Sequence, residues 1–575
     1  MNSILQIPIK RFARFITRQF TRKTQRTATV QKQFLLSLLK EHQDTAFGRE
    51  YGFRDIGTVE EFRKRIPVLN YRDYKPYVEQ IAQGASNVLT ADSVKYMNMT
   101  SGSTGKQKLI PVTKQSQRFN RQANLTSICF GIKSAAEQGL AFGQILVTSS
   151  VQLLGETSAG IPYGPVSVSH LRSTNIFARQ LFAHPYQALE PSDSLARHYV
   201  CLLFALKNPH TRVIAANFPV LALRLCHYLE NYAEFLIEDL ERGAIAPWLN
   251  LEPELRANLE KKLFPAPKRA QQLRQILQQH QRLTPILAWP DLSCVVTARG
   301  GTSDFYLQQF PEYFGSTPVF GGIYSSAESI FGITPQLNQD SNILAIETGF
   351  FEFIPPQQWE KSQPHTLLAE EVKVGELYRI VVSNYNGFYR YDIGDVVEVA
   401  GFCGTAPLIV FRYRRGGLLS STTEKTTEFH ALQVMQQLQQ EFNISLESFC
   451  ITLSNDHQTP PAYLVNIELS PGSTLPNPQQ FLEQFDRRLK TIHASYEVKR
   501  RDQVPPPRLR ILAPGSFGKL YQRLMQQGIP EHHLKFPHIS EDRAFLADLP
   551  VEKEVLFPSD SQMPTLGRDL IIDEN

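Results

Sequence analysis

The sequence predicts an α/β fold with a large N-terminal domain and a small C-terminal one. At 575 residues the chain is too long for a single hydrophobic core. Up to Tyr324, helical apolar patterns alternate with β-type runs, which is typical of helices layered on a sheet. From Ile343 to Val399 short strand-like runs are separated by turns and indicate a β subdomain. Because Arg412–Gly417 is basic and then glycine-rich, we expect a hinge there and domains at 1–415 and 416–575.

The elements follow from local patterns, taken in chain order. Apolar spacing predicts helices over Gln31–Gln43, Thr58–Arg65, Lys114–Glu137 and Ser192–Lys207, and a mostly helical region over Phe218–Leu283. Buried strands are predicted at Gln144–Leu154, Thr211–Ala216, Cys294–Ala298 and Val319–Tyr324. The last strand would present Tyr324 at the sheet edge where ligands collect in open α/β folds. Val68–Gln83, in which Tyr, Asp and Lys interleave, is predicted to be a surface segment.

The region after the hinge predicts a compact α+β domain. Its expected elements are helices over Thr427–Phe442 and Pro478–His493 and strands over Phe449–Leu453 and Ala462–Leu469. Such a small second domain would act as a lid on the first.

Composition and charge narrow the class of protein. The hydrophobic share is 42%, and no segment approaches about eighteen consecutive apolar residues, so we expect a soluble protein without membrane insertion. A formal net charge of +5 gives little support for a polyanionic partner, and we expect no nucleic-acid binding. The six cysteines include no C-x-x-C pair, which argues against a zinc site or a disulfide framework and favours the cytoplasm.

The first forty residues contain no Asp or Glu and predict a basic amphipathic helix. Phe and Ile side chains lie between its basic residues, which are Lys10, Arg11, Arg14, Arg18, Arg22, Lys23 and Arg26. Such a composition is typical of a transit peptide or a membrane-surface anchor, but it lacks the apolar core of a secretory signal. The alternative, which we prefer, is an ordinary surface helix packed by its Phe side chains.

The stretch Thr100-Ser-Gly-Ser-Thr-Gly-Lys-Gln-Lys108 holds four hydroxyls, two glycines and two lysines. Glycines allow close approach of the backbone to a ligand, and hydroxyls, N–H groups and lysines suit phosphate oxygens. Because a strand-like run stands on each side, the stretch predicts a hairpin connection, and it does not match the P-loop pattern. A plain polar turn is the competing interpretation.

Two further motifs change the balance between these interpretations. They are Tyr324-Ser-Ser-Ala-Glu328 and Tyr389-Arg-Tyr-Asp-Ile-Gly-Asp-Val-Val397. With the first stretch, in this order, they resemble the signature set of the adenylate-forming enzymes. The set is most similar to that of the auxin-responsive acyl-acid amido synthetases, the Gretchen Hagen family. The resemblance extends to Gln31–Phe53, Ser420–Glu428 and Gly515–His538, and so to nearly the whole chain.

The resemblance implies a firefly-luciferase-like fold and an enzyme that depends on ATP and Mg²⁺. Such an enzyme adenylates a small carboxylic acid and passes the acyl group to the amine of an amino acid. We expect it to act as a monomer. The rival activities are transfer to the thiol of CoA and, from a different class, nucleotide binding without catalysis.

The resemblance also assigns roles to single residues. It implies that the first motif holds the phosphates of ATP, that Tyr324 stacks on adenine, that Glu328 binds Mg²⁺ and that Asp395 binds the ribose. We expect Asp395 in a tight turn between two strands, with Asp392, three residues earlier, as the alternative. The ATP contacts implied in this way are Ser101, Gly102, Ser103, Thr104, Lys108, Tyr324, Ser326, Asp395, Phe402 and Lys425. Ala327 departs from the family, which has a hydroxyl there for the α-phosphate, so Ser326 or Ser325 would have to replace that contact.

Two lysines compete for the catalytic role. His533-Leu-Lys-Phe-Pro537 resembles a terminal element of the family, and this makes Lys535 our choice for stabilising the adenylation transition state. Gly515–Arg523 resembles the lysine loop of the wider superfamily, so Lys519 is the rival.

Overall fold

The computed structural model describes residues 3–100, 108–301, 303–414, 418–455, 460–526 and 536–557. The chain divides into two compact units, Met1–Arg414 and Arg415–Asn575. The predicted boundary after residue 415 is adjacent to this division. That the second unit is a mobile lid stays a prediction.

The first unit contains most of the helices. They are α1 (Ser3–Thr24), α2 (Thr27–His42), α3 (Ala46–Glu50), α4 (Val59–Arg65), α5 (Tyr71–Ala82), α6 (Lys114–Glu137), α7 (Val166–Arg172), α8 (Ile176–Arg179), α9 (Ser194–Lys207), α10 (Pro219–Asn231), α11 (Ala233–Arg242), α12 (Pro253–Glu260), α13 (Pro267–His280), α14 (Pro285–Ala288), α15 (Ser303–Leu307) and α16 (Phe310–Phe314). None of the helices in the described part of the chain is both long enough and apolar enough to span a membrane.

The strands described in this unit form three sheets. They are β1 (Val94–Thr100), β2 (Lys108–Thr113), β3 (Gln144–Val147), β4 (Gly155–Glu156), β5 (Pro162–Gly164), β6 (Thr211–Ala215), β7 (Cys294–Val296), β8 (Val319–Phe320), β9 (Ile323–Ser325), β10 (Ile330–Ile333), β11 (Asn342–Leu344), β12 (Phe350–Ile354), β13 (Leu377–Asn384), β14 (Phe388–Cys403) and β15 (Ala406–Arg414). A parallel sheet has the order β3-β6-β7-β8. An antiparallel sheet has the order β12-β13-β14-β15-β11-β10-β9, and a small sheet the order β2-β1-β5-β4.

These sheets show the predicted α/β layering beside a β subdomain. Helix α9 is buried along almost its whole length and packs against β3, α10 and α11, as expected for a helix covered on all sides. Helix α6 has the predicted bounds, and α4 begins with a capping box in which Thr58 and Glu61 satisfy each other's backbone N–H groups. The buried strand predicted from Gln144 ends at Val147.

The predicted strand Val319–Tyr324 is wrong, because the chain changes sheets within it. β8 belongs to the parallel sheet, whereas β9, which carries Tyr324, pairs antiparallel with β10. The break falls at Gly321–Gly322. Gly322 has a φ of 68°, and a Cβ on Gly321 would lie 2.7 Å from the Thr334 hydroxyl, so both positions suit glycine. Tyr324 therefore lies on the antiparallel sheet.

The predicted surface segment Val68–Gln83 contains helix α5, which has an exposed outer side and one buried face. Asn70 and Asp73 form a capping box at its start. Tyr74, Val78 and Ile81 recur at helical spacing and are buried. The interleaved polar residues and Pro76 concealed this face in the sequence.

A buried aromatic cluster connects the N-terminal helices to β14. The Phe47 ring stacks on the Tyr389 ring at 5.1 Å and on the Tyr74 ring at 5.7 Å between centroids. Next to Tyr389, Arg390 donates to both carboxylate oxygens of Glu352 at 3.0 Å and to backbone carbonyls of the N-terminal region. These contacts fix the strand that carries Asp395.

The second unit is an α+β structure. Its elements are β16 (Leu418–Leu419), β17 (Thr426–Thr427), α17 (Glu428–Phe442), β18 (Leu446–Leu453), β19 (Tyr463–Leu469), α18 (Pro478–Ile492), α19 (Ala494–Lys499), β20 (Arg508–Leu512), α20 (Ser516–Gln526) and β21 (Val551–Val555). Its main sheet has the order β18-β19-β20-β21, with β19 and β20 parallel. The helices and strands predicted for this region are confirmed to within a few residues.

Candidate active site

Asp395 lies within β14 and is 1% exposed. It faces Arg414 of β15 as its cross-strand partner, and Arg414 Nε donates to Asp395 Oδ1 at 2.5 Å. The Tyr324 hydroxyl donates to Oδ2 at 2.8 Å. The prediction that Asp395 lies in a tight turn between two strands is wrong. Gly394, at a φ of 83°, and a register shift after Val396 make a local irregularity in one continuous strand.

Tyr324 connects Asp395 to an aromatic wall. Its ring centroid lies 5.2 Å from that of Phe331 and 5.5 Å from that of Phe411. Burial, and then the adjacent Asp395 carboxylate, raise the pKa of the Tyr324 hydroxyl well above its ordinary value. The hydroxyl is therefore a proton donor to Asp395 at neutral pH. Asp395 in turn is the largest cause that raises the pKa of Arg414, so this guanidinium stays charged.

Glu328 follows β9 and is 2% exposed. The Ser326 hydroxyl donates to Glu328 Oε2 at 2.7 Å, and the Tyr391 hydroxyl donates to Oε1 at 3.3 Å. The side-chain amides of Asn384 and Asn386 both donate to the Glu328 carbonyl at 2.8 Å. The carbonyl oxygen and both carboxylate oxygens of Glu328 thus each accept at least one hydrogen bond.

The contact between Ser326 and Glu328 bears on the role expected of Ser326. The backbone N–H of Glu328 donates to Ser326 Oγ at 3.1 Å, while the hydroxyl proton is directed to the carboxylate. In this structure Ser326 therefore positions Glu328, and its proton is not free for a phosphate. Ser325 is exposed.

The hairpin formed by β1 and β2 borders the same region. The strands pair antiparallel, with Thr100 opposite Lys108, so the predicted hairpin is confirmed. The Asn98 side-chain amide donates to the Ala327 carbonyl at 2.9 Å, which ties β1 to the segment before Glu328. The Lys108 ammonium lies 5.3 Å from the centre of the Tyr71 ring.

Lys108 and Glu328 also interact electrostatically. Burial lowers the pKa of Lys108, the Glu328 carboxylate acts in the opposite direction, and Arg414 lowers it further. Lys108 and Arg414 therefore both interact electrostatically with the buried carboxylate of Glu328. This set of charges suits a polyanionic ligand that binds with a metal ion, since the ligand would meet both cations and the metal would meet the carboxylate.

The residues described at this site do not include every predicted site residue. Ser101, Gly102, Ser103, Thr104 and Lys535 lie outside the described residues. Phe402 lies on β14 seven positions beyond Asp395, about 20 Å at the usual strand rise.

Phe402 pairs with Pro407 at the hairpin that leads into β15, and the next residues contact the end of α1. Phe402 thus lies near the end of α1, and its role as a nucleoside contact stays a prediction.

Two of the predicted residues of the second unit, Lys425 and Lys519, are among the described residues. Lys425 is exposed, has a φ of 58° and donates its backbone N–H to Ser420 Oγ at 2.9 Å. The preceding Glu424 is buried and accepts from the Tyr463 hydroxyl at 2.7 Å, which fixes this loop. Lys519 is exposed in the first turn of α20.

The start of α20 is already occupied by a carboxylate of the same unit. Glu468 accepts from the backbone N–H groups of Gly515 at 2.6 Å and Phe517 at 2.8 Å. This contact caps the helix. The segment resembling a lysine loop is therefore a helix start, with the Lys519 side chain directed to solvent.

Four residues of the site were not predicted from the sequence. They are Tyr71, Asn98, Tyr391 and Arg414. Tyr391 and Arg414 stand within stretches already singled out, the third motif and the hinge. Their roles depend on which residues pair across β14 and β15, and one sequence does not give that register.

Comparison with solved structures defines the class of the fold. The chain is similar to a GH3.15 acyl acid amido synthetase, with a TM-score of 0.83 and 22% sequence identity, over 94% of this chain and 97% of the solved one. The predicted fold, a large α/β domain with a β subdomain and a small α+β domain, is confirmed.

Family comparison then identifies the chain more closely. Residues 16–319 match the GH3 family N-terminal domain, residues 342–414 the GH3 family central domain and residues 429–544 the GH3 family C-terminal domain. Because these matches cover most of its length, the chain belongs to the GH3 family, as the motifs predicted.

Named relatives agree with this assignment. The indole-3-acetic acid-amido synthetase GH3.5 of Arabidopsis thaliana is 24% identical over 542 residues, which cover 88% of this chain and 88% of the relative. The jasmonoyl-L-amino acid synthetase JAR4 of Nicotiana attenuata is 25% identical over 557 residues, which cover 91% of this chain and 92% of the relative.

Proposed function

We propose that this protein is an ATP-dependent acyl-acid amido synthetase. It would adenylate a small carboxylic acid, release pyrophosphate and pass the acyl group to the amine of an amino acid. The relatives named for amido synthesis support this activity. The observation that carries it is the set Asp395, Tyr324 and Glu328, which hydrogen bonds from Tyr324 and Tyr391 connect to β14, with Lys108 close enough to interact with Glu328.

Asp395 and Tyr324 suit a nucleoside. Each oxygen of Asp395 accepts one hydrogen bond, from Arg414 or Tyr324, and a carboxylate oxygen has room for more than one donor. Asp395 would therefore accept from both ribose hydroxyls without losing its supports. The aromatic wall around Tyr324 would receive the adenine ring.

Lys108 and Glu328 suit the triphosphate and a metal ion. Among the described residues no cluster of three or more His, Cys, Asp or Glu side chains forms an all-protein metal cage. Mg²⁺ commonly binds through one or two carboxylates together with phosphate oxygens and water, so Glu328 alone fits it. When bound there, Mg²⁺ would neutralise charge on the phosphate oxygens. Lys108 would contribute a second positive charge on the side of the β1–β2 hairpin.

The reaction needs little covalent chemistry from the protein. A carboxylate oxygen of the acid attacks the α-phosphorus of ATP, and the bond to the bridging oxygen breaks as pyrophosphate leaves. The amine then attacks the acyl carbon, AMP departs with the electrons of the acyl–oxygen bond, and the amine loses a proton. The tasks of the site are to align two anions and to offset their charge.

The second unit would supply the lysine that stabilises the first transition state. We retain Lys535 for this role, with Lys519 as the rival. Lys425 is proposed as a further nucleotide contact, and the motif residues Ser101, Gly102, Ser103 and Thr104 as phosphate ligands. We also propose that the enzyme acts as a monomer in the cytoplasm.

The test combines two measurements on the purified chain. Exchange of labelled pyrophosphate into ATP, screened over small carboxylic acids, detects adenylation. Mass spectrometry of reactions that contain amino acids and CoA then identifies the acceptor. We expect an acid-dependent exchange and an amide product. A thioester, or no exchange with any acid, would overturn the proposal.

A further inference from the structure

Helix α1 combines exposed arginines and exposed apolar side chains on its outer face, a feature that the proposed enzyme activity does not use. Ile7 is 59% exposed, Phe12 49% and Phe15 57%. At helical spacing, Ile7, Phe15 and the exposed Arg11, Arg14, Arg18 and Arg22 lie on one face, with Phe12 beside it.

The opposite face of α1 carries small side chains, and its hydroxyl group is hydrogen-bonded within the helix. Ala13 and Thr17 are buried there, and the Thr17 hydroxyl donates to the Ala13 carbonyl at 2.9 Å. Phe20, also buried, packs edge to face on Phe130 of α6, with ring centroids 6.1 Å apart. Two of the three Phe side chains of this helix thus point outward. This arrangement is the reverse of what a helix packed by its aromatic residues would show.

The end of α1 is fixed to the first unit. The Thr405 backbone N–H donates to the Thr24 carbonyl at 2.8 Å, and the Lys23 ammonium pairs with Glu347. In the described part of the chain none of Arg11, Arg14, Arg18 and Arg22 makes an ion pair. The helix is therefore a fixed element that presents positive charge and apolar groups to its surroundings.

We propose that the outer face of α1 binds an anionic membrane surface, so that the enzyme is a peripheral membrane protein. Phenylalanine and isoleucine side chains would enter the boundary between headgroups and acyl chains, while arginines contact lipid phosphates. The absence of Asp and Glu from the first forty residues makes this face complementary to anionic lipid. A second copy of the chain is a poor occupant, because two such faces would repel.

The proposal is tested by sedimentation with vesicles of phosphatidylglycerol and phosphatidylcholine, compared with phosphatidylcholine alone. We expect binding to the anionic vesicles only, weakened by salt. R11Q/R14Q/R18Q should lower the partition constant at least about tenfold, and F12S/F15S should lower it as well. Control variants are K261Q/K262Q/K268Q and F264S, which remove exposed positive charge and an exposed Phe side chain elsewhere in the first unit. These controls should bind like the wild type.

Two readouts keep the result interpretable. Pyrophosphate exchange should be unchanged in the α1 variants, because the membrane proposal is independent of the proposed activity. F12W should shift its fluorescence emission to the blue when anionic vesicles are added, whereas F264W should not.

The proposal is overturned if the wild type does not bind anionic vesicles, or if both α1 variants bind them like the wild type. It is also overturned if F12S/F15S retains full binding and heparin competes fully. That result would identify a soluble polyanion or an acidic protein as the partner.

Discussion

Asp395 is held from two sides, by the Arg414 guanidinium at one carboxylate oxygen and by the Tyr324 hydroxyl at the other. The Arg414 contact joins two charged groups, and such hydrogen bonds contribute roughly 1.5–3 kcal/mol. Arg414 therefore offers a direct test of whether the orientation of Asp395 matters for ATP.

Arg414→Met should raise the KM for ATP in pyrophosphate exchange at least tenfold, about 1.4 kcal/mol, because Asp395 loses its charged partner. Arg412→Met is the matched control. Arg412 lies two residues earlier on β15 and pairs with Glu398 at 2.7 Å. The KM of Arg412→Met for ATP should stay within about threefold of the wild-type value. Equal KM values for the two variants would show that the Arg414 contact has no role in binding ATP.

Ser326 provides a second test at a single hydroxyl. Ser326→Ala removes the hydrogen bond at 2.7 Å that holds the Glu328 carboxylate. Because the freed carboxylate would be less well placed for a metal ion, we expect exchange to fall about tenfold at limiting Mg²⁺ and to recover partly as Mg²⁺ is raised. Ser325→Ala, in the exposed neighbouring residue, should change little. If Ser325→Ala lowered exchange more than Ser326→Ala, Ser325 would be the residue that replaces the α-phosphate contact absent at Ala327.

Residues of the site that belong to a motif could be predicted from the sequence. Residues whose place depends on strand register could not. Tyr324, Glu328 and Asp395 were predicted from their motifs, and the structure brings them together. Arg414 was not predicted, because it faces Asp395 only through the pairing of β14 with β15. The turn expected at Asp395 was wrong for a related reason, since β14 continues through that residue.

At the scale of elements, two glycines decide where Tyr324 lies. Gly321 and Gly322 end β8 and redirect the chain into β9, so that Tyr324 meets Asp395. The sequence pattern predicted one strand here, because apolar residues continue across the glycines. Periodicity detects an apolar run, but it does not show that the run changes sheets.

Helix α2 ends at His42, whose behaviour predicts a pH dependence of stability. His42 is 1% exposed and its Nδ1 accepts from the Ala91 N–H at 3.0 Å. Burial lowers the pKa of His42 from 6.5 to about 4, so the folded chain holds it neutral. The unfolded chain takes up a proton below about pH 6.5. The free energy of unfolding is therefore highest above pH 6.5 and falls as the pH drops toward 4, by at most about 1.4 kcal/mol per pH unit for this group.

His42→Asn keeps an acceptor for Ala91 but removes the titration. We expect its free energy of unfolding, measured in denaturant at a series of pH values, to fall less between pH 6.5 and 4.5 than that of the wild type. His210→Asn, at an exposed histidine, is the control and should keep the wild-type slope. If His42→Asn and His210→Asn had the same slope, His42 would not be the group responsible.

At the scale of the whole molecule, the chain is built as two units whose contributions to catalysis can be separated. The first unit contains Lys108, Glu328 and Asp395, and the second contains both candidate lysines. The α/β character, the β subdomain and the α+β second unit were all predictable, since each depends on helical or alternating apolar patterns of ordinary length. The catalytic lysine was not, because two short segments resemble different relatives.

Two substitutions test whether Lys535 or Lys519 stabilises the adenylation transition state. Lys535→Ala should lower adenylation at least tenfold, about 1.4 kcal/mol of transition-state stabilisation. Lys519→Ala should have a smaller effect, because Lys519 is exposed on a helix whose start is capped by Glu468. Pyrophosphate exchange measured at saturating ATP separates the two. A large loss in Lys519→Ala with a silent Lys535→Ala would reverse the assignment.

The central claim is that the segments near Lys108, Glu328 and Asp395 bind one molecule of ATP. Its most direct test is the acid-dependent exchange of pyrophosphate into ATP by Lys108→Met, Glu328→Gln and Asp395→Asn, beside Glu398→Gln as a carboxylate control on the same strand as Asp395. We predict that each of the first three lowers exchange at least tenfold, about 1.4 kcal/mol, while Glu398→Gln exchanges like the wild type. Wild-type exchange in all four variants would contradict the account.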